Sequence, residues 1–208
     1  GSSIAIGTGI GFGLYQNGSN AKVVVYFGDG ATEEGVFFES LDFASLLGLP
    51  VLFVCEDNFY SVYTNKSDRQ NRNRNLKKIC SGHDITHFAS SGNDVLGVYE
   101  TAKKALDSID LFKKPALVEF DTFRWLEHCG PNWDDHLNYR KEGELDKWIK
   151  KCPVKKLRKV LLENSILNKK NEQEIEAKIA SQINQAFLHA RESKYPKPED
   201  LFKNVYAL

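Results

Sequence analysis

A carboxylate stands between two glycines at Gly28-Asp29-Gly30, and 27 residues separate Gly30 from Asn58. The flanking glycines give a tight turn whose backbone N–H groups can approach an anion closely. Asp29 and Asn58 both offer oxygen, which suits a hard cation such as Mg²⁺. Mg²⁺ rarely sits in an all-protein cage, so a diphosphate would complete the shell. The plain alternative is that both residues only cap turns. Further on, His128 lies in Phe123-Arg124-Trp125-Leu126-Glu127-His128-Cys129-Gly130. An imidazole there is a candidate for proton transfer near neutral pH. Cys129 beside it could be activated as a thiolate, but no third residue that would orient the pair can be named. Arg124 and Arg140 either grip a substrate carboxylate or bridge the loop to neighbouring acids; the second reading is favoured. His83 and His87 are four apart, as in a helical metal pair, yet no third ligand or helix signal supports one.

The elements that must position these residues read as α/β. Val23–Phe27, Val51–Cys55 and Ala116–Thr122 are short apolar runs, as expected of strands buried on both faces of a parallel sheet. Helical spacing marks Glu34–Leu47, stopped by Gly48 and Pro50, and Asp94–Ile109, with Asp94 as N-cap. The order strand, helix, strand, loop, helix, strand predicts a mostly parallel sheet with helices on both faces. Open α/β sheets bind ligands beyond the carboxyl ends of their strands. Gly28–Ala31, Glu56–Tyr60 and Phe123–Gly130 should therefore meet at one edge. Gly7, Gly9, Gly11 and Gly13 alternate without fitting the dinucleotide fingerprint, and suggest a helix packed tightly on a neighbour. Asn65–Lys78 carries Lys66, Arg69, Arg72, Arg74, Lys77 and Lys78 and reads as a mobile basic loop, solvated or covering a site. As an RNA-binding arm it lacks interleaved aromatics for stacking. Past Gly130, Glu144–Lys151, Val154–Glu163 and Asn171–Glu192 read as helices. The last has an amphipathic stripe of Ile175, Ile179, Ile183, Ala186, Phe187 and Ala190, expected to pack on its own domain. Tyr195-Pro196-Lys197-Pro198 then starts an extended tail to Leu208.

Composition bounds the function. The 208 residues carry 28 basic and 28 acidic side chains, for zero formal charge. That argues against general electrostatic attraction to nucleic acid or an anionic membrane. Apolar runs are too short to span a bilayer, and no signal peptide is visible. The four cysteines are spaced 25, 49 and 23 residues apart without a C-x-x-C, which fits a reducing cytoplasm. Methionine is absent even at position 1, so the start has been removed or the chain is a fragment.

The Gly-Asp-Gly, interval and Asn pattern resembles thiamine diphosphate enzymes. More closely, the chain is similar to alpha subunits of the first component of 2-oxo acid dehydrogenase complexes, the group of pyruvate, branched-chain and acetoin dehydrogenases. Gly28–Gly35, Leu49–Asn58, Gly92–Val95, Phe123–Pro131 and Pro198–Phe202 carry the likeness, and Glu127–Pro131 looks most like the acetoin branch. The resemblance implies a thiamine diphosphate-binding fold over residues 1–128, its amino-terminal part missing. It implies that 129–208 supply the active-site loop, a helical extension and the tail of the same domain. Asp29, Asn58 and the Tyr60 carbonyl would bind Mg²⁺, with Gly28, Gly30 and Ala31 along the diphosphate. His128 would be the active-site histidine, transferring protons and orienting a lipoyl group. The implied reaction cleaves a 2-oxo acid or acetoin and passes the acyl group to a lipoyl-bearing acyltransferase. A beta subunit would supply the cofactor-activating glutamate in an α₂β₂ assembly. Neither nucleic acid nor membrane is an implied partner. The chain departs from the family at Asp57, usually Asn, and at Leu126, often a second histidine. The phosphorylated serines of mitochondrial members have no clear equivalent near Cys129. Rival readings are a transketolase-like enzyme and a non-catalytic interaction subunit.

Overall fold

The computed structural model describes residues 1–203 and 205. Helix α1 (Ser2–Gln16) leads into strand β1 (Val23–Gly28), helix α2 (Gly35–Leu47) and strand β2 (Val51–Asp57). A two-residue ribbon follows, β3 (Tyr60–Ser61) with β4 (Thr64–Asn65), then the short helices α3 (Lys66–Arg69) and α4 (Leu76–Gly82). Strand β5 (Thr86–Ser91), helix α5 (Val95–Phe112) and strand β6 (Ala116–Asp121) complete the sheet. Helices α6 (Glu144–Ile149), α7 (Pro153–Glu163) and α8 (Lys169–Glu192) come last.

The main sheet has the order β1-β2-β6-β5 and is parallel throughout. Alternation along β2 shows why its residues form a central strand. Val51, Phe53 and Cys55 face one layer, where Ile4 of α1 and Phe37, Leu41 and Ala44 of α2 are buried. Leu52 and Val54 face the other layer, against Ala105 and Ile109 of α5. Each fully buried Leu, Phe or Val side chain contributes about 1.5–3 kcal/mol. On the α5 side β1 stays bare: Val24 is 40% exposed and Tyr26 61%. Strand β1 is also an edge of the sheet.

The three anticipated strands are present, with β2 running two residues further, to Asp57. Strand β5 was not anticipated, and the region read as a mobile basic loop contains α3 and the start of α4. Asp94 caps α5 as expected, accepting from the Gly97 amide at 3.3 Å. The glycines of α1 divide by face. A Cβ at Gly7 would sit 2.9 Å from Val25 Cβ and one at Gly11 2.5 Å from Val51 Cγ2, whereas Gly9 and Gly13 meet nothing.

The chain separates into two compact units, Gly1–Leu157 and Arg158–Leu208. Within the second, α8 has no buried residue, and its apolar stripe of Ile175, Ile179, Ile183 and Phe187 is at least half exposed. The expected packing of that stripe is thus not seen. Helix α8 is capped by Asn168, and its Glu172 pairs with Arg158. Pro198–Phe202 forms a 3₁₀ turn where an extended tail was expected. Most of the anticipated tail beyond Lys203 lies outside the described residues.

Candidate active site

The paired registers Gly28↔Glu56, Asp57↔Asp121 and Ser91↔Asp121 level the carboxyl ends of all four strands. Directly after β1 the chain winds into a 3₁₀ turn, Asp29–Glu33, closed by Thr32 Oγ1 donating to the Asp29 carbonyl at 2.6 Å. Asp29 is 2% exposed. Its Oδ2 accepts from Arg69 Nη2 at 2.5 Å, and the same guanidinium also pairs with Glu33. Arg74 Nη1 donates to Thr32 Oγ1 at 2.9 Å, and Gln70 donates to Glu33 at 2.7 Å. The basic stretch therefore covers the Gly-Asp-Gly turn. Glu33 points into that cover.

After β2 two side chains fold the backbone back on itself. Asp57 Oδ1 accepts from the Phe59 amide at 3.1 Å and Asn58 Oδ1 from the Tyr60 amide at 3.0 Å. Asn58 does cap a turn, as the plain alternative held, and its oxygen keeps a second lone pair. Phe59 (φ 67°) and Val62 (φ 54°) take the left-handed conformation, costly for a bulky or β-branched side chain. Such strain concentrates at functional sites. Strand β3 lies against the Asp29–Glu33 turn, where a Cβ on Gly30 would come within 2.9 Å of Ser61 Oγ. Gly28, Asp29, Gly30, Asn58 and Tyr60 are thus gathered at one edge, while Ala31 packs down against the core. The Tyr60 hydroxyl donates to Glu144 Oε2 at 2.7 Å; burial and that carboxylate push its pKa up to about 12.

Beneath this edge lies a group the sequence did not single out. Lys66 pairs with Asp57 and lies 3.9 Å from Glu119, whose other oxygen is 3.2 Å from His87 Nε2. Burial raises the Asp57 carboxyl, against the pull of Lys66. The His87 bond holds the Glu119 carboxyl low despite its burial. His83 sits at the end of α4 against Asp42, so it forms no metal pair with His87. Among the described residues, no three or more His, Cys, Asp or Glu side chains converge on a metal position.

His128 stands on the segment after β6. Phe123 stacks on Trp148 of α6 with centroids 5.4 Å apart, fixing the base of that segment. Its return limb is held by Asp134, which is 2% exposed and accepts from Arg140 at 2.7 Å and from the Tyr139 hydroxyl at 2.6 Å. Arg124 donates to the carbonyls of Leu126 and Val62. Both arginines brace the loop, as favoured from the sequence. Cys129 is exposed and unpaired, and the other three cysteines are buried.

A parallel α/β sheet with oxygen donors gathered at the carboxyl ends of adjacent strands defines a ligand-binding class. Comparison with known proteins narrows it. The family described as "Dehydrogenase E1 component" matches residues 1–199, and the chain belongs to that family. It is 30% identical to the pyruvate dehydrogenase E1 component subunit alpha of Rickettsia bellii, over 99% of this chain and 62% of that protein. The same identity relates it to the 2-oxoisovalerate dehydrogenase subunit alpha 1, mitochondrial, of Arabidopsis thaliana, over 95% of this chain and 42% of that protein. It also relates it to the pyruvate dehydrogenase E1 component subunit alpha of Staphylococcus aureus, over 95% and 53% respectively. The chain thus spans between two fifths and two thirds of these relatives' length. Among solved structures, transketolase from Campylobacter jejuni aligns more loosely, with a TM-score of 0.49 at 21% identity over 57% of this chain and 19% of that one.

The residues present fit a hard cation with a diphosphate. The carboxylate, carboxamide and main-chain carbonyl at that edge offer oxygen alone, too few donors to close a shell without phosphate oxygens. The Arg69 guanidinium already holds a positive charge on the Asp29 carboxylate. Arg69 and Lys66 were visible in the sequence only as members of a basic run; nothing in their spacing told which carboxylates they would meet.

Proposed function

We propose that this chain is the alpha subunit, or the portion of one that carries half the site, of a thiamine diphosphate-dependent 2-oxo acid dehydrogenase. The observation that carries this reading is the meeting of the Asp29 turn with the Asn58–Tyr60 turn at the sheet's carboxyl edge. Asp29, Asn58 and the Tyr60 carbonyl would hold Mg²⁺, and the Gly28–Ala31 backbone would lie along the diphosphate. Bound there, thiamine diphosphate supplies the electron sink for carbon–carbon cleavage. Loading the cation requires Arg69 to leave Asp29, and phosphate oxygens offer its guanidinium a new acceptor. His128 would move a proton at its exposed imidazole and orient a lipoyl acceptor on an acyltransferase. Acetoin is a second candidate substrate, favoured by Glu127–Pro131. A beta subunit in an α₂β₂ assembly would complete the site in the cytoplasm. Among the described residues no helix is long and apolar enough to cross a membrane.

The test is thermal unfolding of the chain co-expressed with a candidate beta subunit, with and without Mg²⁺ plus thiamine diphosphate. At about 100 times Kd the ligands should stabilise the native state by about 2.7 kcal/mol. The shift should vanish in Asp29→Ala. A well-folded complex with no shift would end the cofactor assignment and leave a non-catalytic subunit as the better reading.

A further inference from the structure

The tip of the His128 loop is closed on itself. The Glu127 amide donates to the Asn132 carbonyl at 2.9 Å. The Asn132 amide returns a bond to Glu127 Oε1 at 3.2 Å, and Asn132 Nδ2 adds another to the same oxygen at 2.6 Å. Three hydrogen bonds between two residues thus bracket His128, Cys129, Gly130 and Pro131. Gly130 lies against the Glu127 carboxylate, and a Cβ there would collide with Oε1. Pro131 fixes φ and has no N–H to satisfy. The stalk below is anchored too: the Leu126 carbonyl accepts from Arg124 Nη1 at 3.0 Å and Arg140 Nη2 at 3.4 Å. Arg140 is in turn paired with buried Asp134. His128 is exposed and has no hydrogen bond of its own among the described residues.

We propose that Glu127 is a positioning residue, whose clasp on Asn132 fixes the backbone from which His128 presents its imidazole. This rests on the reading of His128 as the proton-transferring group. A group that must meet a substrate within a few tenths of an ångström needs a held backbone, and among the described residues no hydrogen bond holds this ring. The Glu127 carboxylate acts through main-chain geometry and touches no reacting atom. Gln at this position keeps the Oε1 acceptor that both Asn132 donors use, and Ala removes it.

Two measurements on wild type, Glu127→Gln and Glu127→Ala separate the clasp from its use. Amide hydrogen exchange on the chain reads the clasp directly. Protection at Asn132 should fall about tenfold in Glu127→Ala, the scale set by lost side-chain hydrogen bonds, and persist in Glu127→Gln. Steady-state kinetics of the assembled enzyme then read positioning. Here kcat should fall about tenfold in Glu127→Ala with cofactor affinity unchanged, and recover in Glu127→Gln. Unchanged exchange in Glu127→Ala overturns the proposal whatever the kinetics. Lost protection with unchanged kcat also overturns it, and leaves the functional reading intact. A wild-type complex without cofactor-dependent turnover ends the functional reading and the positioning role together, while exchange still reports whether the clasp exists.

Discussion

Asp29 shows how little of a side chain's setting its motif conveys. Its place between two glycines is plain in the sequence, but the cation beside it comes from 40 residues away. Removing one partner of a buried pair leaves the other charge uncompensated, at a cost of about 3–5 kcal/mol. Arg69→Ala should therefore lower the ligand-free melting temperature sharply. In the reading proposed above, Mg²⁺ at Asp29 would replace the lost positive charge, so adding Mg²⁺ with thiamine diphosphate should restore part of the loss. A melt series with and without ligands checks both. Asp134 gives a pH test. Burial alone would lift its carboxyl, but Tyr139, Arg140 and Arg124 together outweigh that and hold it below the ordinary range. A carboxyl depressed by folding contributes stability that is complete above its unfolded pKa, about 4, and is lost as pH falls through the folded value. Wild type should lose stability on acidification below about pH 4. Asp134→Asn should start lower at pH 7 and decline less across that acid window, as thermal melts between pH 7 and 2 would record.

At the scale of elements, what could be read depended on burial. Strands β2 and β6 are covered on both faces, so their sequences are mostly apolar runs, with Glu119 the break inside β6. Strand β5 has no residue in the fully buried class, and Thr-His-Phe-Ala-Ser-Ser carries no such run. The turn residues were legible because Gly, Asp and Asn announce themselves. The positive φ of Phe59 and Val62 was not, since neither residue type prefers it. The alternating glycines of α1 were ambiguous until their faces were known, and the two faces predict opposite responses. Gly9→Ala should stabilise the chain by about 0.5–1 kcal/mol, since it adds helix propensity in open space. Gly11→Ala should destabilise it by about 1–3 kcal/mol by overpacking against Val51. Urea melts of the two variants, run side by side, would decide.

At the scale of the whole molecule, the two compact units differ in what holds them. Gly1–Leu157 contains the sheet and its two flanking cores, whereas α8 in the second unit buries nothing. Regions with few buried contacts open most readily. Trypsin should cut at Lys169, Lys170 or Lys178 well before any site in the sheet, and leave a resistant amino-terminal product. Early cleavage inside Val23–Asp121 would contradict this. The proposed site likewise draws on several segments, and the levelled strand ends bring the Asp29 and Asn58 turns to one edge.

The bare edge at β1 has a practical consequence. Val23–Gly28 carries no charge, no proline and no bulge, and its Val24 and Tyr26 are open to solvent. Such an edge is a template for another strand. Produced without a companion chain, this protein should stick to copies of itself as its concentration rises. Recovery of soluble material would then depend on how early in synthesis that edge is covered.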